Sequence, residues 1–187
     1  MGYKVTKAKR FIILDRDGVI NYDSENYIRS PEEWRPLEGS LEAISALVSV
    51  GFEIAVISNQ SGISRKLLSE KTLQNIHAKM ISEVEKVRGR ITAIYHCPHI
   101  PEAQCECRKP KLGMIKRLEK EHNVSVTDIP LIGDKPSDIE LAVRAGARPI
   151  LVRTGYGNRS AASIPKSVEI YDNLASAAEI LISEYSP

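Results

Sequence analysis

Apolar runs and helical patterns alternate along most of the chain, the order expected when crossover helices join the strands of a parallel sheet. Five apolar runs have the length of strands and lie between the helical patterns. They cover residues 11–14, 53–57, 91–95, 130–132 and 149–152. The pattern therefore predicts an α/β fold in which helices flank a doubly wound parallel sheet.

Apolar residues spaced along one helix face predict five helices between and after these strands. For the first helix, residues 41–50, Ser40 is the expected N-cap and Gly51 the expected stop. The other helices are expected at residues 70–87, around residues 114–118, and at residues 136–145 and 174–183. A chain of 187 residues suits one domain, and we expect that domain to span residues 1–187.

Two carboxylates stand where the first strand runs out into a loop, in the sequence Asp15-Arg16-Asp17-Gly18. Residues i and i+2 of an extended chain point the same way, so both acids can face one reacting group. One carboxylate can attack phosphorus and the other can handle the proton, while Mg2+ lets the anions approach each other. An EF-hand calcium loop is excluded, because the chain has apolar residues at that loop's fifth and sixth positions.

Polar residues also follow two other predicted strands. Ser58 and Asn59 come after the second strand, and Asp134 comes after the fourth. Open parallel sheets bind ligands in the crevice at the carboxyl ends of their strands, so these side chains are expected to meet the two acids there. A solvated acidic turn, the alternative for the first motif, does not explain this convergence. Asp138 is expected either to cap the helix that starts near Pro136 or to support the metal.

Three cysteines and a histidine form two closely spaced pairs, Cys97-x-His99 and Cys105-x-Cys107. Three thiolates and one imidazole make the closed ligand set of a structural zinc site, and the short spacer can fold both pairs onto one ion. A disulfide explains the cluster less well, because any single bridge leaves one thiol unmatched. We therefore expect Zn2+ bound in a loop over residues 96–111.

Charge and hydropathy exclude several other function classes. The chain has 26 basic and 24 acidic residues with no long basic run, which argues against a nucleic-acid surface. No stretch approaches the roughly 18 apolar residues of a membrane span. The charged N-terminus, residues 1–10, is not followed by a signal-peptide core. We expect a cytoplasmic monomer that binds neither nucleic acid nor membrane.

Five motifs, in this order, resemble those of the haloacid-dehalogenase-like (HAD) phosphatases. The resemblance spans about residues 10–157, and it is closest to the zinc-containing group that acts on heptose bisphosphate or histidinol phosphate. It implies a Rossmann-like, HAD-like fold without a large cap domain and with the zinc loop near the active site. The motifs are Asp15-Arg16-Asp17-Gly18, Ser58-Asn59-Gln60-Ser61-Gly62, Cys97-x-His99, Cys105-x-Cys107-Arg108-Lys109-Pro110 and Gly133-Asp134-Lys135.

The resemblance also implies roles for individual residues. Asp15 would be the nucleophile and Asp17 the acid and base. Mg2+ would be held by Asp15, Asp134 and the backbone carbonyl of Asp17, while Ser58 and Lys109 would hold the transferring phosphoryl group. These roles agree with what carboxylates, a hydroxyl and an ammonium can do in phosphoryl transfer.

Substrate contacts are expected from Asn59, Arg108 and Lys135 and, by resemblance, from residues 23–27. Arg108 directly follows the zinc ligand Cys107, so its guanidinium is expected near the pocket, where it can grip an anion in bidentate fashion. A sugar bisphosphate offers a second phosphate for this grip, whereas the cationic amine of histidinol phosphate would prefer an acidic pocket.

We therefore expect a Mg2+-dependent phosphomonoesterase acting on a small phosphorylated sugar. It would remove the C7 phosphate of D-glycero-D-manno-heptose 1,7-bisphosphate, on the route to ADP-heptose and the lipopolysaccharide core, and the anomer stays open. Three alternatives remain: a histidinol-phosphate phosphatase, a zinc-bearing interaction module without catalysis, and a nucleic-acid end phosphatase. For Arg108, the alternative is an ion pair with Glu102 or Glu106.

Overall fold

In the computed structural model, which describes residues 10–185, six parallel strands form one sheet in the order β3-β2-β1-β4-β5-β6. The predicted doubly wound parallel sheet is confirmed. Most of the charged N-terminus lies outside the described residues, so the expectation of no signal peptide is not addressed. The strands are β1 (Arg10–Leu14), β2 (Phe52–Asn59), β3 (Ala93–Cys97), β4 (Pro130–Gly133), β5 (Arg148–Val152) and β6 (Glu169–Tyr171).

Helices follow the strands along the described part of the chain, and short 3-10 turns lie in the loops. None of these helices combines the length and apolarity needed to cross a bilayer. The helices are α1 (Ser40–Ser49), α2 (Glu70–Lys86), α3 (Gly113–His122), α4 (Pro136–Ala145), α5 (Gly157–Ser160) and α6 (Leu174–Tyr185). The 3-10 turns are Pro31–Glu33, Pro101–Ala103 and Ala161–Ser163.

The alternation of side chains along β1 explains why helices cover both faces of the sheet. Ile12 and Leu14 pack in a core that contains side chains of α1, α2 and α6. Phe11 and Ile13 point the other way and pack with side chains of α3 and α4. Because all four side chains are buried, β1 is the middle of a three-layer structure.

β1 is also the point where the order of the strands reverses. Leu14 pairs with Val56 of β2 on one side and with Ile132 of β4 on the other. The ladder continues one residue further, because the Asp15 N–H donates to the Ile132 carbonyl at 2.9 Å. Such a reversal leaves a crevice at the carboxyl ends of the two central strands, and Asp15 lies there.

Three details differ from the sequence predictions. Ser40 is not the N-cap of α1: Gly39 is, and the Ser40 hydroxyl instead lies within hydrogen-bond distance of the Ile20 and Leu37 carbonyls, at 2.6 and 2.8 Å. β3 ends two residues later than predicted, at Cys97, which brings a predicted zinc ligand into the sheet. A sixth strand, β6, was missed because its three half-buried residues carry no clear apolar pattern.

Candidate active site

Three buried carboxylates meet at the carboxyl ends of β1 and β4. Asp15 follows β1, Asp134 follows β4, and Asp138 lies in the first turn of α4. One oxygen from each lies within 4.8 Å of the others. Asp138 also accepts a hydrogen bond from the Lys135 N–H at 3.0 Å, so the capping role considered for it is confirmed.

A buried ammonium, that of Lys109, neutralises part of this charge. Its Nζ lies 2.8 Å from Asp15 Oδ1 and 2.6 Å from Asp138 Oδ1. It also donates to the Ile57 carbonyl at 2.9 Å. Although burial lowers the pKa of Lys109, the two carboxylates outweigh that effect and raise it. Lys109 thus contacts two of the three carboxylates. Lys135 Nζ lies 3.7 Å from the third, at Asp134 Oδ1, but it also pairs with Asp23, so the cluster keeps an excess of negative charge.

The electrostatics of the carboxylates fit a divalent cation. Burial raises the pKa of Asp15 to about 6, despite the opposing effect of Lys109. Burial also raises the pKa of Asp134 to about 8, against the effect of Lys135. Asp134 Oδ2 accepts a hydrogen bond from the Tyr156 N–H at 2.8 Å, but Oδ1 has no hydrogen-bond partner within residues 10–185. A buried oxygen without a donor is well suited to coordinate a metal ion.

Two glycines close around the Asp134 carboxylate. Gly18 has φ +90°, and a Cβ on it would lie 2.2 Å from Asp134 Oδ2. Gly155 has φ +57°, and its Cβ would lie 2.3 Å from the same oxygen. Both positions combine a left-handed backbone with a close approach, so neither accepts a side chain without rearrangement. The backbones of the loops that carry Gly18 and Gly155 therefore lie directly against the Asp134 carboxylate.

Asp17, the second acid of the motif, is held by four donors. Its Oδ1 accepts from Arg16 Nε and from Asn21 Nδ2, each at 2.9 Å. Its Oδ2 accepts from Arg16 Nη2 at 2.9 Å and from Gln60 Nε2 at 2.8 Å. Burial alone would raise the pKa of Asp17, but the Arg16 guanidinium and these hydrogen bonds lower it to about 2. Asp17 is therefore an ionised carboxylate with a fixed orientation.

The carboxyl end of β2 joins this acid to Lys109, because Ser58 and Asn59, expected just after the strand, are its last two residues. The Ser58 hydroxyl is buried and accepts a hydrogen bond from Gln60 Nε2 at 3.3 Å. Asn59 Oδ1 accepts from the Lys109 N–H at 3.0 Å, and Asn59 Nδ2 donates to the Lys109 carbonyl at 3.3 Å. Asn59 thus clamps the backbone of Lys109, and its expected contact with substrate stays a prediction.

The three cysteines and His99 form a cluster at the end of β3 and in the loop that follows it. The sulfur–sulfur distances are 3.2 Å for Cys97–Cys107 and 3.5 Å for both Cys97–Cys105 and Cys105–Cys107. His99 Nδ1 lies 3.6 Å from the Cys97 sulfur and 3.3 Å from the Cys107 sulfur. All three cysteines are free thiols. Donors about 2.3 Å from one tetrahedral ion would lie roughly 3.8 Å apart, so the set fits a four-coordinate metal after a small expansion.

Two predicted substrate contacts lie at the edge of these clusters. Lys135 Nζ pairs with Asp23 Oδ2 at 2.8 Å and lies 5.0 Å from the centre of the Tyr156 ring. Arg108 Nη1 donates to the His99 carbonyl at 3.0 Å. The ion pair considered as an alternative for Arg108 does not form with Glu106, which pairs with Lys111 at 3.0 Å.

The sequence interpretation gave no role to Arg16, Gln60 or Tyr156, although all three contact the acids. Arg16 and Gln60 lie inside two of the motifs, so their position was known. Their partners were not, because the hydrogen bonds join loops that are far apart in sequence. The sequence does place Arg16 between two acids, and the structure buries it. A buried arginine needs an anionic partner, so this position could have indicated the contact with Asp17.

Comparisons with known proteins agree with this geometry. A family model described as polynucleotide kinase 3 phosphatase matches residues 10–137, and a HAD-hydrolase-like model matches residues 106–177. A Pseudomonas putida protein named D-glycero-beta-D-manno-heptose-1,7-bisphosphate 7-phosphatase is 42% identical over 174 residues, which are 92% of this chain and 99% of that protein. The chain belongs to the family of HAD-like phosphatases.

Solved structures also resemble this HAD-like phosphatase. The D,D-heptose 1,7-bisphosphate phosphatase from Bordetella bronchiseptica, in complex with magnesium and phosphate, has a TM-score of 0.91 and 40% identity. The match covers 94% of this chain and 99% of that one. The enzyme of the same name from Burkholderia thailandensis has a TM-score of 0.74 and 34% identity, with the same coverage.

The raised pKa of Asp134 predicts how the stability of this HAD-like phosphatase should respond to Mg2+ at different pH values. Folding raises that pKa from 3.8 to about 8, so the folded state binds the proton more tightly in this range. If Asp134 binds Mg2+, as expected from the sequence, protons and Mg2+ compete for the same oxygens. Stability of the Mg2+-free protein should fall as pH rises towards 8, and the gain from Mg2+ should grow. At a Mg2+ concentration of a hundred times Kd the gain should approach about 2.7 kcal/mol.

Melting temperatures with and without added Mg2+, at about pH 6.5 and about pH 8.5, test this prediction. Asp134→Asn cannot lose a proton at this position, so its Mg2+-induced shift should be small at both values. An equal shift for the unsubstituted protein at both pH values would contradict competition between protons and Mg2+.

Proposed function

We propose that this protein is a Mg2+-dependent phosphomonoesterase that removes the C7 phosphate of D-glycero-D-manno-heptose 1,7-bisphosphate. The observation that carries the proposal is the buried set of Asp15, Asp134 and Asp138 around Lys109, at the reversal point of the sheet. The relatives at about 40% identity that are named for this reaction, one of them solved with magnesium and phosphate, support the substrate.

In the proposed first step, an Asp15 oxygen attacks phosphorus and the bond to the sugar oxygen breaks. The departing oxygen takes a proton from Asp17, and an aspartyl phosphate remains. In the second step, water attacks this phosphorus, Asp17 takes the proton from the water, and Asp15 is released. A carboxylate nucleophile replaces one difficult displacement by two easier ones, and one residue serves as acid and then as base.

Other residues would hold the phosphoryl group during both steps. The Ser58 hydroxyl and the Lys109 ammonium are suited to its equatorial oxygens, where charge must be stabilised. Asp15, Asp134 and the backbone carbonyl of Asp17 would hold Mg2+, and its charge would offset the repulsion between the carboxylate and phosphoryl anions. The uncompensated negative charge of the buried cluster supports this assignment.

We infer that the cluster of Cys97, His99, Cys105 and Cys107 binds Zn2+ as a structural ion. Four protein donors leave no open position for catalysis. The loop from β3 to α3 contains one 3-10 turn, Pro101–Ala103, and contributes few side chains to the core. A bound metal ion would therefore hold this loop in place where side-chain packing does not. Lys109 lies two residues after the last proposed ligand, Cys107.

The sugar has room in a cavity of about 330 Å3 whose lining includes Asp23, Gly155 and Tyr156. Lys135 connects this wall to the carboxylate cluster, because its Nζ lies 2.8 Å from Asp23 Oδ2 and 3.7 Å from Asp134 Oδ1. The lining combines two aromatic rings and polar side chains, which suit a sugar, with two carboxylates and one guanidinium. The lining residues are Tyr22, Asp23, Ser24, Glu25, Gly155, Tyr156 and Arg159.

Two other functions make distinct predictions. A histidinol-phosphate phosphatase would keep the same chemistry with a cationic substrate, and a zinc-bearing interaction module would release no phosphate. The family model of polynucleotide 3-phosphatases covers much of the chain, but the near-neutral charge offers no basic surface for a nucleic acid. Cytoplasmic location and the monomeric state stay predictions.

Phosphate release from heptose bisphosphate, in both anomers, and from histidinol phosphate tests the function directly. We expect Mg2+-dependent release with a clear preference for the bisphosphate, and no release in EDTA. Asp15→Asn should lower turnover by at least about 10^4-fold, the scale on which loss of a covalent nucleophile acts, while the fold persists. Retained activity in a well-folded Asp15→Asn protein would refute the nucleophile, and preference for histidinol phosphate would replace the substrate.

Arg108→Ala tests the proposed grip on the second phosphate. We expect KM for heptose bisphosphate to rise about 10- to 100-fold, the loss of one charge-assisted bidentate contact, with kcat for a generic monophosphate unchanged. Arg153→Ala is the matched control, because Arg153 is exposed and pairs with Asp172 at 3.6 Å. If Arg108→Ala affects both substrates equally, Arg108 does not select the bisphosphate.

Cys105→Ser tests the zinc site. We expect the unsubstituted protein to contain about one zinc ion per chain and the variant to lose most of it, because a hydroxyl is a poor ligand beside two thiolates. Circular dichroism should show that the α/β fold persists. Glu102→Ser, an exposed change in the same loop, should keep the metal. Full zinc content in Cys105→Ser, measured by elemental analysis, would contradict the ligand set.

A further inference from the structure

Gln60, directly after β2, has its side-chain amide enclosed by three polar groups. Its Oε1 accepts from Arg16 Nη2 at 3.1 Å. Its Nε2 donates to Asp17 Oδ2 at 2.8 Å and to the Ser58 hydroxyl at 3.3 Å. The residue is only 4% exposed, so water does not replace these partners.

The chemistry of the partners fixes the orientation of this amide. An arginine can only donate, so the group facing Arg16 must be the amide oxygen. An ionised carboxylate can only accept, so the group facing Asp17 must be the amide nitrogen. A flipped amide would place oxygen against oxygen at Asp17 and donor against donor at Arg16. The side-chain amide of Gln60 therefore bridges Arg16 and Asp17 in a single orientation.

Gln60 also ties the loop that carries Asp17 to the rest of the site. Arg16 and Asn21, the other donors to Asp17, belong to that same loop and cannot fix its position relative to β2. Gln60 does so, because its nitrogen contacts both Asp17 and Ser58. Its backbone N–H donates to the Cys97 carbonyl at 2.7 Å, at the edge of the cysteine cluster.

We propose that Gln60 is a positioning residue, which holds the Asp17 carboxylate in register with the phosphoryl group bound at Ser58. The proposal rests on the proposed role of Asp17 as acid and base. Asp17 must reach the sugar oxygen in the first step and the attacking water in the second. Without Gln60 the carboxylate keeps the partners of its own loop but loses its fixed distance from the phosphoryl site.

A substrate with a good leaving group distinguishes loss of the positioning of Asp17 by Gln60 from damage to the rest of the site. p-Nitrophenolate departs without a proton, so the first step with p-nitrophenyl phosphate does not need Asp17 as acid. The second step still needs Asp17 as base for water. A variant that misplaces Asp17 alone should release p-nitrophenolate in a fast burst and then turn over slowly.

The test uses Gln60→Glu, which places a carboxylate against Asp17, and Gln60→Met, which removes both polar groups at similar volume. In rapid mixing with Mg2+ we expect a burst of about one p-nitrophenolate per chain. Steady turnover should be roughly 10^2-fold below that of the unsubstituted protein, the scale of general acid–base catalysis. The Mg2+-induced shift in melting temperature should be unchanged, since the carboxylate cluster is intact.

Gln74→Glu is the matched control, because Gln74 is an exposed residue of α2, and its kinetics should equal those of the unsubstituted protein. If burst and steady rates fall together, or if neither falls, Gln60 does not act through Asp17. Should Gln60→Glu fail to fold, Gln60→Met carries the test. Failure of the proposed function would appear separately, as no phosphate release from heptose bisphosphate by the unsubstituted protein, because p-nitrophenyl phosphate does not depend on the sugar.

Discussion

The shared ammonium of Lys109 is the interaction on which the site depends. Buried carboxylates repel each other and lose their hydration, and Asp15, Asp134 and Asp138 approach one another at the end of the central strands. Lys109 joins two of them through contacts of 2.8 and 2.6 Å. The remaining excess of negative charge suits a divalent cation. Binding of such an ion would be coupled to the stability of the fold through the same oxygens.

Lys109 comes from the cysteine-containing loop, which explains why that loop adjoins the carboxylate cluster. The Asn59 amide holds the Lys109 backbone from the side of β2, and Cys107 precedes it by two residues. Gln60 connects the carbonyl of Cys97 to Asp17 in the same region. The conformation of this loop therefore affects the positions of both Lys109, the proposed phosphoryl-binding cation, and Asp17, the proposed acid and base. A structural metal in this loop would serve catalysis by position rather than by chemistry.

Much of the fold could be predicted because burial leaves a clear trace in the sequence. β1 and β4 are continuous apolar runs, and the acids that follow them reach one crevice by the geometry of a parallel sheet. The short, half-buried β6 left no such trace. Ser40 has the residue type of an N-cap, yet its hydroxyl lies 2.6 Å from the carbonyl of Ile20, twenty residues earlier, a tertiary contact that local sequence does not encode. The network of Arg16, Gln60 and Asp17 was missed for the same reason.

The environment gives the two acids of the motif different properties. Burial raises the pKa of Asp15 to about 6, and a bound cation would lower it, which favours the ionised form that a nucleophile needs. The Arg16 guanidinium and the hydrogen bonds from Asn21 and Gln60 outweigh burial and hold the pKa of Asp17 near 2, so the free protein presents a base. Donating a proton requires that pKa to rise when substrate binds. A doubly charged phosphoryl group beside the carboxylate acts in that direction, so the substrate itself would convert Asp17 into an acid for the first step.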